Sequence, residues 1–183
     1  MSFLPAGIYQ LITYPSEILY QFSSDCTEAD LPLIQETMKP MMHIMKAHNG
    51  IGLSGIQVGI PKRFCVMLTK GTAPKSAGVE DLAVIINPTL VEEEAEKVIA
   101  GEGCLSLPMF NEQIERPKQV TIAYRDMQYI ERKAVFEGLE ARCILHEMDH
   151  MEGVIQLSKV GPMKQEMYKK KLQKNRKYGK ITV

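Results

Sequence analysis

The chain has 183 residues, 45% hydrophobic and 24% charged, with 22 basic side chains against 22 acidic ones. That balance suits one globular domain with a buried core and excludes a disordered chain, a collagen-like repeat and a disulfide miniprotein. A net charge of zero also argues against a basic nucleic-acid binder as a description of the whole chain. No apolar run nears the roughly 18 residues that a membrane span needs. Met1 to Pro5 shows no basic region leading into an apolar stretch, so neither a membrane partner nor an export signal is expected.

The zero conceals an asymmetry. From Lys159 to Val183 nine basic residues face the single acid Glu166, so the tail carries +8 and the body −8. Such a tail is either a solvated terminal helix or a contact for a polyanion. Cys26, Cys65, Cys104 and Cys143 are evenly spaced, but their flanking residues share nothing, so they mark no repeat. Without an export signal they read as reduced thiols of a cytoplasmic protein, three of them small core residues.

In chain order, Thr27 to His48 places Ile34, Met38, Met41, Met42 and Met45 on one helical face, with Pro32 in the first turn and Pro40 as a kink. Asn49-Gly50 is the expected stop. Strands follow at Arg63 to Leu68, Leu82 to Asn87, Thr89 to Ile99, Gln119 to Arg125 and Glu131 to Phe136, with Lys70 to Glu80 as an exposed loop. Leu105-Ser106-Leu107 reads as a further short strand. A second helix is expected over Leu139 to Glu152, between Gly138 and Gly153, and a third, basic one from Gly161-Pro162. Strands grouped between helices without regular alternation indicate an α+β fold, a single domain of antiparallel sheets around a central helix, with a C-terminal helix at about 161–183.

The central helix carries His146-Glu147-Met148-Asp149-His150. Residues four apart share a helix face, so both imidazoles can approach one ion, and Glu147 stands one position round as a general base for metal-assisted hydrolysis. Such a site needs a third ligand and an open position. Cys143 lies on nearly the same stripe but about 10 Å of helix rise from His150, too far for a short thiol to join both imidazoles. Cys104, in Glu102-Gly103-Cys104-Leu105-Ser106, is better placed, either as the third ligand of a Cys-His-His site or, as the weaker alternative, as a nucleophile with a histidine base. Gly50-Ile51-Gly52-Leu53-Ser54-Gly55-Ile56-Gln57 matches G-x-G-x-x-G, but it follows a helix and leads to Pro61, so a dinucleotide loop is excluded. What is left is a backbone-exposing strand ending in Gln57, whose amide could donate to a substrate oxygen.

Gly50 to Gln57, Glu102 to Ser106 and His146 to His150, in that order, resemble the three motifs of the peptide deformylases, which remove the N-formyl group from the formylmethionine of nascent polypeptides. The resemblance implies Cys104, His146 and His150 as ligands of one divalent metal, Fe(II) in cells with Zn, Ni or Co as substitutes. It also implies Glu147 as proton acceptor and donor, Gln57 and the Leu105 backbone N–H as oxyanion donors, and Gly50, Ile51, Gly52 and Cys143 as substrate-binding residues. Ribosome contact through the basic tail would follow from the family's use of C-terminal extensions. Three departures stand out. The small pair of the first motif is Ser54-Gly55, Leu145 stands where Gln is common, and Asn111 stands where many members carry a substrate-binding Arg, with Arg116 as the nearest replacement. They leave open a paralogue with altered specificity, and a zinc endopeptidase is the more distant alternative.

Overall fold

The computed structural model describes residues 9–69 and 82–178, so the loop expected over Lys70 to Glu80 lies outside the described residues. Helix α1 spans Leu31–Ala47 and runs on through Pro40, burying Ile34, Met38, Met41 and Met45 at helical spacing. It ends as the sequence indicates. Asn49 turns at φ 55°, its N–H reaches Lys46 O and the Gly50 N–H reaches Met45 O, which satisfies the last carbonyls and delivers the chain to Ile51.

A five-stranded antiparallel sheet follows in the order β1-β2-β3-β6-β7, with β1 Gly52–Ser54, β2 Phe64–Leu68, β3 Leu82–Glu93, β6 Gln119–Arg125 and β7 Glu131–Glu137. Its central strands are buried on both faces. Phe64, Val66, Leu82, Val84 and Ile86 pack in the cluster that contains α1, whereas Cys65, Met67, Ala83 and Ile85 pack in the cluster of α2 (Gly138–Met151). This period of two is the pleat itself, and it places one helix on each face.

The separate two-stranded hairpin of β4 (Lys97–Cys104) and β5 (Leu107–Pro117) differs from expectation. The stretch Thr89 to Ile99 is not one strand. β3 passes through Pro88 at a register shift, where Asn87 takes φ 49°, and ends at Glu93. β4 begins only after Glu94 to Glu96. Leu105 and Ser106 are a turn, not a strand, and β5 was not foreseen. Its inward positions Phe110, Ile114 and Arg116 alternate with exposed polar ones, a pattern masked by Pro108, Asn111, Glu112 and Gln113.

Just after α2, Gly153 turns the chain at φ 70°; a Cβ there would stand 2.5 Å from Tyr20 O. α3 (Pro162–Lys177) docks through Tyr168 and Leu172, with the Tyr168 ring edge-on to Phe110 at 5.5 Å. Among the described residues, no helix is long and apolar enough to cross a membrane.

Candidate metal centre and cleft

Three donor atoms of Cys104, His146 and His150 lie within 4.8 Å of one another, all from buried residues. Cys104 closes β4, where a register shift after Gly103 swings Pro108 to Phe110 out of the ladder. His146 and His150 lie one turn apart on α2, their rings edge to face with centroids 5.0 Å apart. Cys104 Sγ is 3.2 Å from His150 Nε2. His146 donates from Nδ1 to Glu102 Oε1 at 2.9 Å, which orients the ring and leaves Nε2 as the nitrogen an ion would take, displacing any proton there. Burial holds His150 well below the ordinary imidazole value, whereas at His146 burial is outweighed by Cys104 and Glu102, which push it up to about 10. One soft thiol and two imidazoles, shielded from water and converging, form a donor set that fits a divalent transition metal. Cys143 is outside the cluster, as the helix rise requires.

Glu147 follows His146 on α2 and is 3% exposed. Its Oε2 has no hydrogen-bond partner, and burial, with Glu102 and Asp149 adding to it, pushes its carboxyl up to about 7. A carboxyl in that range can take up and return a proton near neutral pH. Gln57 lies on a 3₁₀ turn (Gly55–Val58) rather than at a strand end. Its Oε1 accepts from the Ser54 N–H at 2.9 Å, so Nε2 faces the thiol, donating to Ser106 Oγ at 3.0 Å and lying 3.9 Å from Cys104 Sγ.

These groups border one cleft of about 650 Å³. Gly50, Ile51, Gly52, Gln57, Cys104, Leu105, Cys143, His146 and Glu147 all line it, so of the ten residues singled out in the sequence only the fully buried His150 does not. The remaining thiols, Cys26 and Cys65, are free and buried, while His43 and His48 are exposed on and just after α1.

Sequence reasoning missed the charged groups behind the ligands. Glu102 accepts from Arg116 Nε at 3.1 Å and Nη2 at 2.7 Å, from Arg142 Nη1 at 2.9 Å, and from His146. Burial alone would raise its carboxyl; these partners hold it well below the usual carboxylate range. Arg116 also pairs with Asp149 at 2.7 Å, and Lys159 with the same carboxylate at 3.0 Å. Arg116 is therefore no stand-in for a substrate-binding Arg: it is 6% exposed and committed to Glu102 and Asp149. The only signal in the sequence was the position of Glu102 inside the second motif.

The polypeptide deformylase family model matches residues 8–166. The peptide deformylase of Wolbachia pipientis wMel is 35% identical over 182 residues, covering 97% of this chain and 98% of that one. The crystal structure of peptide deformylase from Ehrlichia chaffeensis in complex with actinonin superposes with a TM-score of 0.81 at 31% identity, covering 92% and 97% of the two chains. A Met-Ala-Ser-bound peptide deformylase from Acinetobacter baumannii superposes with a TM-score of 0.74 at 26% identity, covering 85% and 99%. The chain belongs to the polypeptide deformylase family.

Proposed function

We propose that this chain deformylates nascent polypeptides with the residues assembled in the cleft. The family removes the N-formyl group from nascent peptides in a metal-dependent reaction. The observation that carries our assignment of roles is the convergence of Cys104, His146 and His150 beside the buried Glu147 carboxyl, whose Oε2 has no hydrogen-bond partner. Cys104 Sγ and one nitrogen from each imidazole would hold a single divalent ion; the donor set suits Fe(II) and Zn alike, and the choice of Fe(II) in cells, with Zn, Ni or Co as substitutes, is what membership of the family implies. When bound, such an ion supplies Lewis acidity, lowering the pKa of water and polarising a carbonyl.

Glu147 accepts a proton from the attacking water as the new C–O bond forms at the formyl carbon. As the C–N bond breaks, the same carboxyl returns that proton to the departing nitrogen, leaving formate and a free N-terminus. Gln57 Nε2 and the Leu105 backbone N–H meet the oxygen on which negative charge develops; losing one such donor typically costs on the order of 3 kcal/mol. Gly50 and Gly52 let the peptide lie along the strand edge, and Ile51 and Cys143 line the recess for the methionine side chain. The Met-Ala-Ser complex of the Acinetobacter baumannii relative supports a peptide beginning with Met as the ligand.

We assign the whole chain to one catalytic domain working in the cytoplasm, with the basic tail as its contact to ribosomal RNA. Lys159, Lys164 and Lys170 are engaged with Asp149, Glu112 and Glu166, whereas Lys171, Lys174 and Lys177 are exposed on α3. The test of the catalytic reading is formate release from formyl-Met-Ala-Ser by anaerobically purified, metal-analysed protein. We expect stoichiometric metal, strong preference for formyl over acetyl peptides and no cleavage of casein. Efficient endoproteolysis by metal-replete protein would transfer the assignment to a zinc endopeptidase.

A further inference from the structure

The proposed ligands come from two separate elements, since the hairpin supplies Cys104 and α2 supplies both imidazoles. Nothing in the geometry of either element fixes the gap between them. Arg142 does span it. It sits on α2 one turn before His146, is 8% exposed, and reaches across to both strands of the hairpin. Its Nη1 donates to Glu102 Oε2 and to Ile114 O, each at 2.9 Å, and its Nη2 donates to Val98 O at 2.8 Å.

Glu102 Oε1 takes His146 Nδ1 at 2.9 Å, so Arg142, Glu102 and His146 close a ring between helix and hairpin. Cys104 lies two residues beyond Glu102 on the same face of β4. Arg116 joins the same Glu102 carboxylate to Asp149, three residues after His146 on α2. Two planar guanidinium forks therefore meet on the carboxylate that holds the histidine, and of the two only Arg142 also forms part of the cleft wall, next to Cys143.

Resting on the reading of Cys104, His146 and His150 as ligands, we infer that Arg142 is a positioning residue that sets the spacing between the Cys104 thiolate and the two imidazoles. The site is then pre-organised before the ion arrives, and the cost of bringing hairpin and helix together is met in folding rather than in binding.

The experiment uses the full chain loaded with zinc and challenged with a competing chelator well below the unfolding temperature, with far-UV circular dichroism reporting the folded fraction. Arg142→Met is expected to hold zinc about 10- to 100-fold more weakly than the parent, and its cobalt-substituted form should show an altered visible spectrum. Arg142→Lys, which keeps the charge but loses the fork, is expected to fall between, at least about threefold weaker. In a Glu102→Gln background the Arg142→Met effect should shrink, because the charged contact that links Arg142 to His146 is already lost and only the Ile114 and Val98 carbonyls are left to it. A purely architectural role predicts something different: lower thermal stability with zinc affinity of the folded protein unchanged. Folded Arg142→Met with parental zinc affinity overturns the inference, as does an undiminished effect in the Glu102→Gln background. Should Arg142→Met fail to fold, parental affinity in Arg142→Lys overturns it equally. Failure of the ligand reading itself is distinguished by Cys104→Ala retaining stoichiometric zinc, an outcome that removes the inference before Arg142 is touched.

Discussion

A Cβ on Gly52 would stand 2.5 Å from Glu147 Oε1 and 2.6 Å from Cys143 Sγ. The glycine is therefore what lets β1 lie directly against the carboxylate on α2. Gly52→Ala must displace Glu147 or Cys143. Since a misplacement of about 1 Å can cost ~10²-fold in rate, we expect kcat to fall on that order while metal content stays near the parent value. Parental kcat in a folded, metal-replete Gly52→Ala protein would show that the contact is not part of the active geometry.

Cys104→Ala should lose metal and activity together, because its thiol is the only non-imidazole donor in the cluster. Cys26→Ala and Cys65→Ala should keep a stoichiometry near one, at a stability cost of about 1 kcal/mol from lost packing. Metal analysis of the purified variants checks the contrast.

Glu147→Gln preserves side-chain volume and removes the proton acceptor. Metal content should be unchanged and kcat should drop by roughly 10²- to 10⁴-fold. A variant that lost its metal instead would make Glu147 a ligand.

Asp126 accepts from the Gln128 and Ile130 N–H groups at 2.9 and 3.0 Å and from Arg132 Nε at 2.7 Å, all around the turn between β6 and β7. Burial opposes ionisation, but these donors outweigh it and depress the carboxyl below its ordinary value. A group depressed in the folded state stabilises fully above its unfolded pKa, about 3.9, and loses that contribution as pH falls through the folded value. Asp126→Asn should therefore be less stable at pH 7 by on the order of 1–2 kcal/mol, with the gap narrowing below about pH 4. Urea unfolding at pH 7 and pH 3 measures both.

Changing Lys169, Lys170, Lys171 and Lys174 to Gln should leave tripeptide turnover nearly unaltered, because α3 docks through Tyr168 and Leu172 on another face. Ribosome co-sedimentation should weaken and lose its salt dependence, since fewer counterions are released. Unaltered affinity would return the tail to a solvated helix.

α3 also illustrates how far the sequence could be read. Its start at Gly161-Pro162 was legible because Pro suits a first turn. Its buried face was not: of its apolar side chains Leu172 is buried, whereas Met163 and Met167 prove 79% and 65% exposed. The hairpin was obscured for a similar reason: Glu94 to Glu96 turn without Gly, Pro or Asn, so nothing local divides Thr89 to Ile99.

By itself the sequence determined the features set by helix geometry and local backbone chemistry. Four-residue spacing put His146 and His150 on one face with Glu147 beside them, helix rise ruled out Cys143, and Asn49 and Gly153 stopped their helices where left-handed turns are tolerated. The tertiary structure alone decided which distant groups meet. Cys104 is 46 residues from His150 in sequence, yet their side chains are 3.2 Å apart. Arg116 and Arg142 are buried because Glu102 and Asp149 are there to neutralise them. Local spacing follows from bond geometry, which every helix shares. The burial of a charge depends on partners supplied by chain closure, and no short window of sequence contains them.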